Sequence, residues 1–513
     1  MNKIFENLFV LDLANNHFGD VVHAKKIIDS FSKVIKKNKI KASIKFQFRD
    51  LDTFVHKSER NNDKNKYVKR FLSTEMSLSQ FDEIRRHIKK NGFLTSCTPF
   101  DENSVENIEK MKFDLLKIAS VSSNDWSLLE RVAENNIPKI ISTGGRSVEE
   151  IDKIVSFFDH KKQVFALMHC ISIYPSPNET LQLNVISDLI KRYPNITIGW
   201  STHEDPNDML PSTLAYSCGA RMFEKHIGIN SKKYKLNNYS TTPEQFEKYL
   251  NNLHLVKGTL NTGTKKIDKN EVKTLSLLER GVYAKSSLKK GEKLTKENIY
   301  FAFPKKKNQV SSGNFSFKSK NYKLINNIKK DQAISVSNIK ISENKNLNYI
   351  TSYIHKVKAM LNYAKIDLGS DFDLEISHHY GVLNFSKFGC FLFNCINRSY
   401  AKKILLLVPN QKHPMHKHKL KEETFQILSG ILYSEVDGKE TKLYPGDTQI
   451  VRPGVWHRFR AGKEGCIFEE VSTTHHNDDS FYQDTKINKL KRTERKTFIK
   501  NWGTHELSLN VFK

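Results

Sequence analysis

Over the first half of the chain, short apolar runs alternate with longer stretches whose apolar positions recur every three to four residues. The short runs, closed by clusters of polar residues, predict strands, and the longer stretches predict helices. The predicted strands are FVLDLAN (9–15), SIKFQF (43–48), FLTSCTPF (93–100), LLKIAS (115–120), KIISTGG (139–145), FALMHC (165–170), ITIGWSTH (196–203) and RMFEKHIG (221–228). Helix-compatible segments such as HAKKIIDSFSKVIKK and VEEIDKIVSFFDH follow them. Eight strand–helix units in about 250 residues predict an α/β fold, a (β/α)8 TIM barrel. A doubly wound open sheet competes with it, but the chain lacks the glycine-rich dinucleotide loop of that architecture.

The pattern then changes. The lysine-rich stretch KGTLNTGTKKIDKNEVKT reads as a linker. Residues 278–342 carry short β-prone runs around a KKGE turn and predict a small β-rich domain. A helical stretch from Tyr349 to Ala364 leads to a strand-rich segment, 365–513, with turns at GKE, YPGD and RPG. That segment predicts a β-sandwich or jelly roll. The expected domains are 1–262, 278–342 and 365–513, in keeping with 513 residues, since one core rarely grows past about 250–300. No internal repeat is detected.

Composition narrows the function classes. No apolar run reaches the roughly 18–20 residues of a membrane span. The first apolar run is interrupted by Glu6 and Asp12 and reads as a buried strand, not a signal peptide, so a cytoplasmic location is expected. The six cysteines are irregularly spaced, form no CxxC pair and read as buried free thiols. Lys and Arg number 83 against 56 Asp and Glu, a net charge of +27. The lysines are dispersed and no nucleic-acid-binding motif is present, so nucleic acid is not an expected partner. The same field would steer an anionic substrate.

The predicted strands end in chemically able side chains: Asp12, Asn15, Asn16 and His17 after the first; Lys45 and Gln47 at the second; Thr98; Lys117 and Ser120; Ser142 and Thr143; His169, Ser172 and Tyr174; Ser201 and His203; Glu224, Lys225 and His226. Residues at the C-terminal mouth of barrel strands read as catalytic. His203 and His226 end consecutive strands and can share one mouth, as metal ligands, as acid–base groups or as hydrogen-bonded core groups. Lys45 and Lys117 with Thr98, Ser120 and Ser142 form a cationic, hydroxyl-rich patch suited to a phosphate ester.

The motifs LDLANNHFGD, KFQ, TSCTPFD, LKIAS, ISTGG, MHCISIYPSP, GWSTHED and GARMFEKHIG resemble, in order, those of the sialic acid synthase family over residues 9–228. RGVYAKSSLKKGEKLTKENI resembles the antifreeze-like (SAF) domain attached to those enzymes. The resemblance implies condensation of phosphoenolpyruvate with an N-acylated hexosamine such as N-acetylmannosamine, giving a nonulosonic acid and phosphate. It implies that His203 and His226 hold a divalent cation, manganese or magnesium. Lys45, Thr98, Lys117, Ser120, Ser142, Ser172 and Ser201 would hold phosphoenolpyruvate, and Gln47 and Tyr174 would line the sugar side. Asp12 stands where the family has Glu, and Glu224 joins the substrate-binding set. A domain-swapped homodimer is expected by resemblance. Three features depart from the family. The aspartate expected in the loop after His226 is absent from KYKLNNYSTTP, leaving Asn237, Asn238 or Tyr239 to substitute. The SAF-domain arginine is missing, leaving Lys305, Lys306 or Lys307. Ser172 and Thr202 fill positions often taken by Asn and Asp.

In the last segment, HPMHKHKLKEETFQILSGIL and YPGDTQIVRPGVWH resemble the cupin signature, HxH(x)4E(x)6G followed by PG and His. Alternate strand residues share a face, so His416 and His418 point the same way. Glu423 and His457 would complete a three-His, one-carboxylate site for a second divalent metal, Zn, Mn, Fe or Ni. His413 reads as a packing residue. EEVSTTHHNDDSFYQD and ERKT resemble a cupin subgroup that includes D-lyxose isomerase, which implies a metal-assisted sugar isomerase, with a sugar-binding module as the alternative.

Overall fold

The computed structural model describes residues 3–62, 64–261, 263, 265–316, 320–369 and 372–499, of Leu347 the backbone only. The expected boundary at residue 262 and both chain ends lie outside the described residues. The chain divides into two compact units, residues 1–265 and 266–513.

The first unit is a closed parallel barrel of β1 (Leu8–Asp12), β2 (Lys41–Phe48), β3 (Leu94–Pro99), β4 (Leu115–Ile118), β5 (Lys139–Ser142), β6 (Phe165–Cys170), β7 (Ile198–Thr202) and β8 (Met222–His226). Both faces of the strands are buried; β4 (LLKI) is mostly apolar, while β2 (KASIKFQF) and β3 (LTSCTP) interleave buried polar residues. Leu8, Val10, Leu115, Ile140, Ala166, Met168 and Met222 form one core cluster. A second lies between strands and helices, where Ile27, Ile28, Phe31 and Ile35 of the helix Val21–Asn38 are buried. Each such side chain contributes roughly 1.5–3 kcal/mol relative to exposure. Asp20 caps that helix by accepting from the Val22 and His23 amides, and Lys39 ends it in the left-handed region at φ 50°.

The stretch 257–274, expected as a linker, is partly helical. The helix Pro243–Leu260 runs into it and a second helix spans Lys269–Leu277. Its lysines mask the period, but Asp268 accepts from the Asn270 and Glu271 amides and starts the helix.

The second unit begins with two antiparallel pairs: β9 (Gly281–Ala284) with β10 (Ile299–Ala302), and β11 (Lys320–Leu324) with β12 (Ile339–Glu343). The helix Lys345–Ala364 follows. A ten-stranded antiparallel sheet then contains β13 (Asp373–Ser377), β14 (Cys390–Asn397), β15 (Tyr400–Leu407), β16 (His416–Lys417), β17 (Glu423–Val436), β18 (Lys439–Leu443), β19 (Thr448–Val451), β20 (His457–Thr473), β21 (Phe481–Tyr482) and β22 (Lys496–Ile499). The GKE turn joins β17 to β18 through Asp437 and Gly438, both at positive φ, as a two-residue hairpin of matching twist requires. No described helix is long and apolar enough to cross a membrane. All six cysteines are free, four of them buried.

Candidate active site and candidate metal centre

Barrel closure brings together side chains far apart in sequence. Asp12 registers with Lys45 on one side and His226 on the other. The Lys45 ammonium lies 3.0 Å from Asp12 Oδ2 and donates to Glu224 Oε1 at 2.9 Å. Lys117 donates to the other Glu224 oxygen at 2.8 Å. All four groups are buried. Burial pushes both lysines down. For Lys45 the two carboxylates outweigh it and hold the ammonium above its ordinary value, whereas Lys117, with one carboxylate and Lys45 as a like-charged neighbour, stays below. The Glu224 carboxyl would rise on burial alone; the two ammonium groups hold it well below the usual range. Neither lysine reaches solvent.

Hydroxyls end the neighbouring strands. Thr98 carries a buried Oγ1 with no hydrogen-bond partner, Ser201 registers with Glu224, and Ser142 is buried at the end of β5; Thr202 registers with Lys225, on the other side of the barrel wall. Ser120 Oγ accepts from the Gly144 amide at 3.1 Å. A Cβ on Gly144 would lie 2.6 Å from Ser120 Oγ and 2.7 Å from Ser172 Oγ, so glycine is what lets these two hydroxyls converge.

His203 and His226 face one another with ring centroids 5.2 Å apart. The His203 Nδ1 lies 3.0 Å from the Ile171 carbonyl, which fixes the tautomer with N–H at Nδ1 and leaves the Nε2 lone pair free to ligate. Burial drives His203 down to about 3 and lowers His226, so both imidazoles are neutral. Two imidazoles are donors that suit a divalent cation and leave positions open, whereas Asp12 Oδ2, 3.5 Å from His226 Nδ1, is held by Lys45 and Gln47. Tyr174, half exposed at the rim, packs tilted against His203 with ring centroids 4.2 Å apart. Of the three substitutes offered in the loop after β8, Tyr239 packs at 5.3 Å from His226, while Asn237 accepts from the Tyr239 and Ser240 amides as a turn cap. Lys305 is engaged by Glu279.

Several strand-end residues serve the scaffold instead. Asn16 donates to the Ile227 carbonyl and to Ser240, joining the loops after β1 and β8. His17 accepts from the Gly19 amide, and His169 is bonded to the Leu181 carbonyl. Lys225 is tied to Glu204 at 2.7 Å. The sequence reading missed Arg49. It donates to Gln47, which donates to Asp12, and its guanidinium lies over the Phe71 and Phe100 rings. Gln47 and Arg49 line a cavity of about 60 Å³ with His17 and Glu75. Lys45, Gln47 and Arg49 sit at period two on β2 and its end, which was the available signal.

In the second unit, His416 pairs with His457 across β16 and β20, and His418 follows. The ligating atoms of these three buried histidines all lie within 4.8 Å of one another. Nδ1 of each is bonded to a carbonyl: Pro414 for His416, Asp479 for His418 and Val455 for His457. All three Nε2 lone pairs are therefore turned to one point. Glu423 joins them, with Oε2 3.0 Å from His457 Nε2 and Oε1 3.5 Å from His418 Nε2. The buried Glu423 Oε2 and His457 Nε2 have no hydrogen-bond partner, which is the signature of donors arranged for a cation. His413 packs against His416 and Phe459 outside this group.

Comparison with known proteins adds to this geometry. The NeuB family matches residues 34–265, and the cupin domain matches residues 403–470. The chain is 33% identical over 291 residues to an uncharacterized protein of Methanocaldococcus jannaschii, covering 56% of this chain and 82% of that one. It is 27% identical to the pseudaminic acid synthase of Campylobacter jejuni, covering 58% and 86% respectively. Among solved structures, a Chromobacterium violaceum protein assigned to spore coat polysaccharide biosynthesis as protein E superimposes with a TM-score of 0.62 at 38% identity, over 65% of this chain and 99% of that one.

Proposed function

The chain belongs to the NeuB family, and on that premise we propose that its barrel condenses phosphoenolpyruvate with an N-acylated hexosamine, N-acetylmannosamine or a related sugar. The products are a nonulosonic acid and inorganic phosphate, for surface glycans. The chain is a phosphoenolpyruvate-dependent, carbon–carbon bond-forming transferase. The observation that carries the reading is the Glu224 carboxylate spanning Lys45 and Lys117, with the unpaired Thr98 hydroxyl on β3 and the Ser120 and Ser172 hydroxyls converging beside Gly144.

The chain's own residues account for the chemistry as follows. Lys45 and Lys117 bind the anionic oxygens of phosphoenolpyruvate, with Thr98, Ser120, Ser142, Ser172 and Ser201 supplying hydroxyl donors. Glu224 keeps both ammonium groups in place, so little reorganisation is needed when charge moves. A divalent metal, manganese or magnesium, held by His203 and His226 would supply Lewis-acid polarisation of the open-chain aldehyde. Asp12 and Gln47 orient the sugar. The enol carbon forms the new bond to the aldehyde carbon, water adds at the neighbouring carbon, and the carbon–oxygen bond to phosphate breaks. Holding both substrates in register supplies much of the remaining acceleration.

A different aldehyde acceptor is the second reading. It is favoured by Asp12, whose carboxylate is already engaged by Lys45 and Gln47, and by Arg49 behind Gln47. Mass analysis of the products from a panel of N-acyl hexosamines and simple aldoses decides between them. A nine-carbon product from an N-acyl hexosamine supports the first reading; product from plain aldoses alone replaces it with the second.

We also propose that residues 278–342 and 365–513 are separate domains, and that His416, His418, His457 and Glu423 hold a second divalent metal. Nitrogen and carboxylate donors suit Zn, Mn, Fe or Ni alike.

A further inference from the structure

The two barrel histidines are fastened on opposite sides. His203 stands one residue past the end of β7. Its Nδ1 lies 3.0 Å from the Ile171 carbonyl and its own carbonyl accepts from the Ser176 amide, both in the segment after β6. His226 ends β8, where its carbonyl accepts from the Thr241 amide. The next residue, Ile227, donates to the Asp12 carbonyl of β1. The ladder between β7 and β8 ends with Thr202 opposite Lys225, so no rung of it joins His203 to His226. A side-chain link takes over beyond the last rung. Lys225 Nζ lies 2.7 Å from Glu204 Oε1. Glu204 follows His203 and Lys225 precedes His226, so this pair bridges the two segments that carry the histidines. Alternate strand residues face opposite ways, which puts Lys225 on the outer face of β8 when Glu224 and His226 face the barrel mouth. There its ammonium sits 5.0 Å over the Tyr249 ring of the helix Pro243–Leu260.

Stability does not account for this pair. Lys225 is 3% exposed and Glu204 1%. Burying two charges repays its desolvation only when the remaining donors and acceptors are bonded as well. Here Glu204 Oε2, Thr202 Oγ1 and the Tyr249 hydroxyl are buried with no hydrogen-bond partner among the described residues. Apolar side chains fill the adjoining space, where Phe223 and Phe246 pack against Tyr249. What an ion pair adds to such packing is a fixed direction and a short, fixed distance.

We infer that Lys225 and Glu204 are positioning residues, whose ion pair sets the separation of the His203 and His226 rings and thereby the affinity of the barrel for a divalent cation. The inference rests on the metal reading of the barrel given above. Ligand distances in a metal site are held to about 0.2 Å. One residue of strand advances the chain by about 3.3 Å. A loop that leaves the ladder at Thr202 therefore needs a further tether to hold His203 to that tolerance. Neither residue touches the cation or the substrates; both act through the histidine beside them in the chain.

The test uses the full-length chain and reads Mn binding directly, from the electron paramagnetic resonance of free Mn, alongside kinetics. The barrel's share of bound Mn is the share lost in His203→Ala. Glu204→Met combined with Lys225→Met replaces the pair by apolar side chains of similar length, so the unfolding temperature should stay within about 5 °C of wild type. Mn affinity of the barrel should fall about tenfold or more, and KM for phosphoenolpyruvate should stay within about twofold. A merely structural pair would leave the Mn affinity of the folded double variant unchanged. Lys225→Arg keeps the pair and should retain most of the affinity. Barrel Mn affinity within about twofold of wild type in the folded double variant overturns the inference and leaves the metal reading standing. A parallel rise in KM for phosphoenolpyruvate overturns it too, since the disturbance would then reach the whole mouth. Should the double variant fail to fold, Glu204→Gln decides, because it keeps the shape and removes the charge. A loss of about threefold or more in Mn affinity is then expected, and wild-type affinity overturns the inference. Equal Mn content in wild type and His203→Ala overturns the metal reading and the inference with it.

Discussion

Two histidine sites in one chain are built in contrasting ways. In the barrel, two imidazoles stand beside an exposed Tyr174, and the charges around them are balanced by Asp12 and Glu224. In the C-terminal sheet, three imidazoles and a carboxylate converge and every donor is buried. The first arrangement would leave most of a coordination shell to substrate and water, whereas the second would enclose a cation. The shared device is the backbone carbonyl on Nδ1, which turns Nε2 toward the site in His203 and in all three histidines of the second centre. Chemistry is set by how many donors surround the ion, and orientation by the carbonyl behind each ring.

The largest effect expected is at Lys117. Lys117→Met removes an ammonium group that we propose binds the phosphoenolpyruvate oxygens and should lower kcat for phosphate release about 10²–10³-fold. Metal content of the C-terminal centre should not change, so a parallel loss there would break the separation between the two sites. Gly144→Ala comes next. Its Cβ would intrude on Ser120 and Ser172, and misplacement on that scale should cost about 10–100-fold in kcat/KM for phosphoenolpyruvate. An unchanged kcat/KM would remove those hydroxyls from the substrate site.

A pH effect sharpens the contrast further. Burial lowers His413 to about 3, so the ring stays neutral in the folded metal-free chain while the unfolded chain protonates near pH 6.5. The unfolded state then binds more protons as pH falls below 6.5, and the contribution of His413 to stability declines continuously down to about pH 3. At pH 4.5 the loss is of order 2 kcal/mol. His413→Phe should therefore flatten the decline of the unfolding temperature of the C-terminal unit between pH 6.5 and 4.5, read by calorimetry. An unchanged slope would assign the acid sensitivity elsewhere. The smallest effect concerns Arg49. Arg49→Met should raise KM for the acceptor sugar by about tenfold, roughly one charge-assisted hydrogen bond, and leave KM for phosphoenolpyruvate within twofold.

The barrel was legible because each strand carries its own apolar run and closes on residues such as Lys117 or His203. Strand ends shifted by a few residues, as at β7, because the polar closing residues already belong to loops. The helix Lys269–Leu277 was hidden by its lysines, and its signal was the Asp268 cap. The pairings at the mouth were not legible, since Lys45 and Glu224 meet only when the barrel closes across 179 residues. In the cupin segment the spacing named the histidines. Lys421 lies two residues before the start of β17, but its partner Glu470 is set by the register of β17 against β20.

The most direct test of the central claim is phosphate release from phosphoenolpyruvate with Mn and an N-acyl hexosamine, comparing wild type with His203→Ala. The account predicts release that requires the sugar and falls to background in the variant. Release without sugar, or at the same rate in His203→Ala, would contradict it.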